Sequence, residues 1–236
     1  MPAPARGPTG RAVPDSGKNY RQALVAGGQA RGLGRRRGRC PMTLDALRDV
    51  PVLRLEECSP NVSGLTLAAY LAPEELRPAA AKLLGKAYFL EDVSVVEVSE
   101  GFLGVYHFDH FDAPGRIALR VLIPKDAPEL PTISDIYQGA SWHERECRDF
   151  FGVTFAGHEN MTPLLLAAED AEFHPLRKGD KALKSLTDLV PDGEGGPQAG
   201  DVAAFLAAAE ESEAPGTPSD VTGSADGHES DEGSAT

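Results

Sequence analysis

Cysteine is scarce and scattered in this chain: Cys40, Cys58 and Cys147 stand far apart and odd in number. No C-x-x-C pair and no Cys/His spacing suited to zinc or an iron–sulfur cluster is formed. Reduced thiols of a cytoplasmic compartment are the expectation. Long apolar runs are missing too. No stretch of about 18 apolar residues exists to span a bilayer, and the basic N-terminus lacks the apolar stretch of a secretory signal. Neither G-x-G-x-x-G nor a Walker A loop is present, so no glycine loop cradles a dinucleotide or nucleoside triphosphate. Residues 192–236 contain no Lys or Arg against eleven acids.

The charge that is present is unevenly placed. The 236 residues carry a net charge of −13, yet residues 1–41 hold nine Lys/Arg and a single acid. That segment, ending in Arg35-Arg36-Arg37-Gly38-Arg39, is rich in Gly, Pro and Ala and has too little apolar surface to order itself. A basic arm for nucleic acid or anionic lipid is one reading. A disordered extension, or a start at Met42, is the simpler one, because helical patterning begins at Thr43. Residues 42–191 hold 14 Lys/Arg and 24 acids, and an acidic body of that size repels phosphate, which excludes nucleic acid as the main partner.

Within that body the patterning predicts an α+β fold, a mainly antiparallel sheet with a few covering helices, followed by an extended partner-binding segment. Thr43-Leu44-Asp45-Ala46-Leu47-Arg48 has an N-cap and helical spacing. Gly64–Tyr70 reads as a strand. A helix opens at Pro73, with Glu74 and Glu75 at its positive end, Gly85 as its stop, and Pro78 as an interruption. Val93–Val98, Phe102–Phe108 and Arg116–Ile123 follow as strands at hairpin distances, with no βαβ alternation. The expected organisation is a basic disordered extension over 1–41, an α+β core over 42–125, a signature helix and extended docking segment over 126–191, and an acidic disordered tail over 192–236, with one Ala-rich patch at Val202–Ala209 able to form a brief helix.

The densest chemistry lies at 141–158, where Glu144-Arg145-Glu146 runs into Cys147, Asp149 and Phe150-Phe151-Gly152. Helical spacing groups Trp142, Glu146, Asp149 and Phe150 on one side, and pairs Glu144 with Arg148 and Arg145 with Asp149. Such pairs contribute only about 0.2–0.5 kcal/mol each, too little to require this cluster. Acid/base work by Glu144 or Glu146 beside His143 is one reading. An ion-paired helix face that docks on a neighbour is the preferred one, because no nucleophile-and-base set or metal partner accompanies the cluster. Cys147 reads as a buried thiol rather than a reactive one. His107 and His110 do not read as a metal pair, and His158 and His174 read as loop-corner histidines.

The same residues are similar to a known family. Leu130-Pro-Thr-Ile-Ser-Asp-Ile-Tyr137, then Trp142-His-Glu-Arg-Glu-Cys-Arg-Asp-Phe-Phe-Gly-Val-Thr-Phe-Ala-Gly-His158, then His174-Pro-Leu-Arg-Lys178 resemble the signature of the 30 kDa (C) subunit of bacterial respiratory complex I, the NADH-quinone oxidoreductase. The resemblance covers about residues 44–180. It departs from the family pattern at Glu159, where proline is usual, and at Thr162, where a basic residue or proline is usual.

The resemblance implies a non-catalytic scaffold subunit of the peripheral arm of an NADH:quinone oxidoreductase, at the cytoplasmic face of the membrane. The whole complex passes electrons from NADH to ubiquinone or menaquinone and translocates protons. It implies no cofactor in this chain, with FMN and iron–sulfur clusters in partner subunits. The implied contacts are chiefly to the quinone-site (D) subunit, and also to the cluster-bearing B and I subunits. The interface residues it implies are Trp142, Glu144, Arg145, Glu146, Asp149, Phe150, Gly152, His158, His174, Arg177 and Lys178, with Arg177 and Lys178 meeting an acidic partner surface. Two alternatives stand beside it: the equivalent subunit of a ferredoxin-, deazaflavin- or hydrogen-linked membrane complex, and a soluble thiol enzyme using Cys147 with His143 or His158.

Overall fold

Strand β5 (Ile117–Ile123) is buried along its whole length, which a strand achieves only when both faces of its sheet are covered. In the computed structural model of the protein, which describes residues 45–112, 115–179, 182–190, 196–198 and 200–212, that is the arrangement found. Strands β1 (Arg54–Glu57), β2 (Leu67–Tyr70), β3 (Phe89–Glu97), β4 (Phe102–Asp109) and β5 form one sheet in the order β1-β2-β5-β4-β3. All pairings are antiparallel except β2 with β5. The fold is α+β, with a mainly antiparallel sheet, as the patterning predicts.

Side chains alternate across the sheet with the period of two that a strand imposes. Phe102, Tyr106 and Phe108 of β4, with Ile117, Leu119, Val121 and Ile123 of β5, face helices α1 (Pro73–Gly85) and α2 (Ala140–Phe151) in the main core. Leu103 and Val105 of β4 and Leu122 of β5 face the other way. There they meet the short helix α3 (Leu186–Leu189) and helix α4 (Asp201–Ser212). Glu91 falls at the register shift between β3 and β4, and its carboxylate accepts from the Nε and Nη2 groups of Arg116.

Helix α1 begins with Pro73 at its first turn and acids behind it, as expected, and it carries Pro78 without ending there. Pro78 lies on the exposed side of the helix, and the helix continues through buried Ala79, Ala80 and Leu83. Packing of that apolar face outweighs the lost backbone bond.

One expected boundary is corrected. Residues 126–191 are no separate segment: Leu130, Ile133, Tyr137, Ala140, Cys147, Val153 and Phe155 belong to the same core cluster as the sheet. The reason is that α2 lies against β3 and sends Ala140 and Cys147 inward. A small parallel pair, β6 (Glu129–Pro131) with β7 (Thr154–Ala156), brackets the helix. Within 192–236 the Ala-rich patch does form the expected helix, longer than the patch itself. Residues 201–212 are helical, with Val202, Phe205 and Ala209 buried, because those three apolar residues recur on one side of the Ala-rich patch. The basic extension over 1–41, the expected cap at Thr43 and the acidic residues beyond 212 lie outside the described residues; residues 45–50 form a helical turn with Ala46, Leu47 and Val50 buried.

Candidate functional site

The residues singled out in the sequence converge on the C-terminal half of α2 and on the segment that wraps it, residues 158–178, here called the strap. The strap has little regular structure, containing one 3-10 turn at Ala168–Asp170. What holds it is a set of hydrogen bonds from the end of α2.

Glu144 is completely buried. One carboxylate oxygen accepts from the Thr132 hydroxyl, and the other accepts from the Ile133 amide at 2.8 Å. Burial pushes this carboxyl above its ordinary range, and the Thr132 and Ile133 bonds only partly offset that. Asp149 is also completely buried. Its Oδ2 accepts from three consecutive strap amides, Leu164 at 2.8 Å, Leu165 at 2.7 Å and Leu166 at 3.2 Å. Burial raises this carboxyl too, but the three amides and the Arg148 charge outweigh it and hold it below the usual carboxylate range.

The last turn of α2 leaves carbonyls without helical partners, and the strap supplies them. His174 Nδ1 lies 3.0 Å from the Asp149 carbonyl and donates to it. The Leu176 amide donates to the Phe150 carbonyl at 3.2 Å. Arg177 Nε donates to the Phe151 carbonyl at 2.8 Å, with its guanidinium 5.2 Å from the Phe102 ring centre. Gly152 ends the helix in the left-handed region, φ 72°. A Cβ built there would stand 2.6 Å from His174 Nε2. Glycine is required at this position both for its φ and for the ring lying against it.

The start of the strap is fastened further toward the N-terminal end of the helix. His158 Nδ1 accepts from the Asn160 amide at 3.0 Å. That places the neutral ring's proton on Nε2, which faces the Ser141 carbonyl at 3.3 Å. Arg145 donates to the carbonyls of Thr162 at 3.0 Å and Pro163 at 3.1 Å. The strap end is fixed by the Lys178 amide, which donates to Glu97 at 2.6 Å.

This geometry corrects several expectations. Glu144 does not pair with Arg148, nor Arg145 with Asp149, because each carboxylate and Arg145 already has partners in the loop or strap. Glu144 and Asp149 face the interior and not a partner, so neither is a contact residue. Trp142 and Asp149 share a helical side by spacing, yet Trp142 is 68 % exposed while Asp149 is covered by strap residues 164–166. Arg177 donates its Nε to the Phe151 carbonyl while its side chain stays exposed. Cys147 is buried, its Sγ 3.8 Å from the Val93 carbonyl, and burial pushes its thiol up to about 12. A buried thiol enclosed in the core is poorly placed to act as a nucleophile, which counts against the thiol-enzyme reading.

Sequence reasoning missed the amides of Leu164, Leu165 and Leu166, and also Thr132, Ile133 and Glu97, as the other halves of these bonds. A run of three leucines after a proline carries no signal for an anion-accepting turn. It also missed exposed apolar side chains. Leu165, Phe173 and Leu176 on the strap are 61 %, 65 % and 50 % exposed, alongside Trp142. Glu146 and Lys178 are exposed as well, and Phe150 is half-buried. Among the described residues no group of three or more His, Cys, Asp or Glu side chains is arranged to hold a metal ion. No helix among them is long and apolar enough to cross a membrane.

The chain resembles known proteins over this same region. Residues 69–185 match the model of the respiratory-chain NADH dehydrogenase 30 kDa subunit. The chain is 35 % identical over 119 residues to the NADH-quinone oxidoreductase C subunit of Roseiflexus sp. (strain RS-1), covering 48 % of this chain and 68 % of that protein. It is 29 % identical over 129 residues to the F(420)H(2) dehydrogenase C subunit of Methanosarcina mazei, covering 53 % of this chain and 82 % of that one. It is 37 % identical over 101 residues to the NADH-quinone oxidoreductase C/D subunit of Phocaeicola vulgatus, covering 42 % of this chain and 19 % of that one. The matched segment runs from β2 through α2 to the end of the strap, and with it the chain belongs to the 30 kDa subunit family of the respiratory-chain NADH dehydrogenase, complex I.

Proposed function

We propose that this chain is a non-catalytic scaffold of the peripheral arm of an NADH:quinone oxidoreductase, and that α2 and its strap form its docking joint. One observation carries the reading: Arg145, Asp149, His174 and Arg177 of the signature bond the strap to α2 within the chain, while four large apolar side chains, Trp142, Leu165, Phe173 and Leu176, are left exposed. Exposed apolar side chains of this size on a rigid frame suit a protein partner. Exposed Lys178 beside Leu176 favours an acidic rim on that partner. The quinone-site (D) subunit is the partner of choice, since one relative is named as a single C/D protein; the B and I subunits complete the neighbourhood. In this reading FMN and the iron–sulfur clusters belong to other subunits, and the complex sits at the cytoplasmic face of the membrane, coupling NADH oxidation and quinone reduction to proton translocation.

A second reading keeps the same scaffold role and changes the electron donor. The similarity to an F(420)H(2) dehydrogenase protein supports it. Affinity isolation of the tagged chain from membranes, with mass spectrometry of its companions, tests both. Recovery of the quinone-site subunit together with flavin-site NADH subunits supports the first reading. Recovery of the quinone-site subunit without them supports the second, and a chain recovered free of every cluster-bearing subunit sinks both.

A further inference from the structure

The segment shared with the family contains one face of the sheet but not its cover. Tyr70, Val98, Leu103, Val105 and Leu122 fall within the matched residues 69–185. They form an apolar surface on which Leu186, Val202 and Phe205 sit, and all of these three lie beyond the matched segment. The main cover is α4. Its buried side chains, Val202, Phe205 and Ala209, recur at i, i+3 and i+7, while Ala203, Ala204 and Ala207 are exposed. Leu206, partly buried, packs against the same surface, and the helix also touches α1.

The contact has specific chemistry. The Phe205 ring stacks on Tyr70 with centres 4.6 Å apart and planes at 11°. Tyr70 is held from another side by Arg120, whose guanidinium lies 5.5 Å from the ring centre and donates to the phenol oxygen at 3.1 Å. At the start of the helix, Asp201 accepts from Arg54 at 2.8 Å. An isolated helix of this length is marginal in water, so its helicity depends on the docking. That docking rests on Val202, Phe205 with its ring stack, Leu206 and Ala209, a contact with α1 and one partly exposed ion pair, less than the two strand pairings and the core packing that hold β4 and β5. An element secured in this way opens locally while the sheet stays intact.

We propose that this face of the sheet is a helix-receiving interaction surface and that residues 201–212 are its resident, exchangeable occupant. Local opening of α4 frees the face for a helix of the same chemistry. Such a helix has apolar residues at i, i+3 and i+7, the central one aromatic to stack on Tyr70. It has small residues alongside and a carboxylate at its N-terminus for Arg54. This proposal does not rest on the docking role of α2 and the strap.

Two measurements on the full chain test it. In the wild type, amides of α4 exchange with deuterium at least 10-fold faster than those of β4 and β5. Phe205→Ala speeds the α4 amides by a further 10-fold or more and leaves β5 unchanged. A fluorescein-labelled peptide of residues 197–212 then binds the Phe205→Ala chain at least 10-fold tighter than the wild type, and a peptide carrying the same alanine loses that advantage. The proposal is overturned if α4 and β5 exchange as one unit, or if the Phe205→Ala chain binds the peptide no tighter than the wild type. Should that variant fail to fold, the wild-type exchange pattern decides alone.

Discussion

Glu144 and Asp149 are both wholly buried carboxylates on one helix, and their environments push them in opposite directions. Asp149 is held below the usual range by three amides, so its ionised form stabilises the fold. That contribution is complete above the unfolded pKa of about 4 and is lost as pH falls through the lower folded value. Glu144 is raised by burial, so the sign reverses: as pH rises from about 4 through its higher folded value, its ionisation costs stability. Denaturant titrations at a series of pH values should therefore show Asp149→Asn most destabilising at neutral pH, by roughly 1–3 kcal/mol, with the difference shrinking in acid. Glu144→Gln should gain on the wild type as pH rises through that window. Glu144→Ala leaves the Ile133 amide and Thr132 hydroxyl unpaired and should cost about 2–4 kcal/mol. A flat pH profile for the wild type and both conservative variants would contradict the assignments. Gly152→Ala places a Cβ against His174 in a left-handed backbone, and a loss of about 2 kcal/mol or more is expected from strain and the displaced cap. Thermal unfolding of Gly152→Ala unchanged from the wild type would remove His174 from this role.

At the level of the element, the strap behaves as a cap built from a distant part of the chain. His174, the Leu176 amide and Arg177 take the last carbonyls of α2, and Asp149 takes the amides of 164–166. Arg177→Ala should raise proteolysis within 167–178 several-fold while β4 and β5 amides exchange as before; equal protection of the strap would contradict it. The regular elements were legible because their signals are local. Pro73 and Gly85 mark α1, and alternation marks β4 and β5. Gly152 marks the end of α2. The strap's partners were not legible, because a carboxylate bonded to amides 15 to 17 residues away follows no period. The expectation that Glu144 and Asp149 meet a partner failed for the same reason: charge in a sequence suggests solvent or interface, and only the fold shows that the loop and strap supply internal donors. Helix α4 was legible as a brief helix in the Ala-rich patch, but its docking was not, since Ala-rich sequence has weak amphipathic contrast and the seat at Tyr70 is distant in the chain.

At the scale of the whole molecule, the sheet is covered on both faces. The family segment supplies α1, α2 and the strap, and α4 is added beyond it. The resemblance carried by residues 130–178 holds for both family and fold. The net charge of −13 limits nonspecific association with other acidic surfaces, so recognition falls to local features such as the exposed apolar side chains Trp142, Leu165, Phe173 and Leu176. The most direct test of that claim is co-purification of partner subunits from membranes with the tagged chain carrying Leu165→Asp and Phe173→Asp, alongside thermal unfolding of the same variant in isolation. The account predicts at least a 10-fold loss of co-purified partners with the unfolding midpoint shifted by no more than about 2 °C, since both side chains are exposed. Normal recovery of the partners by a folded variant would contradict it.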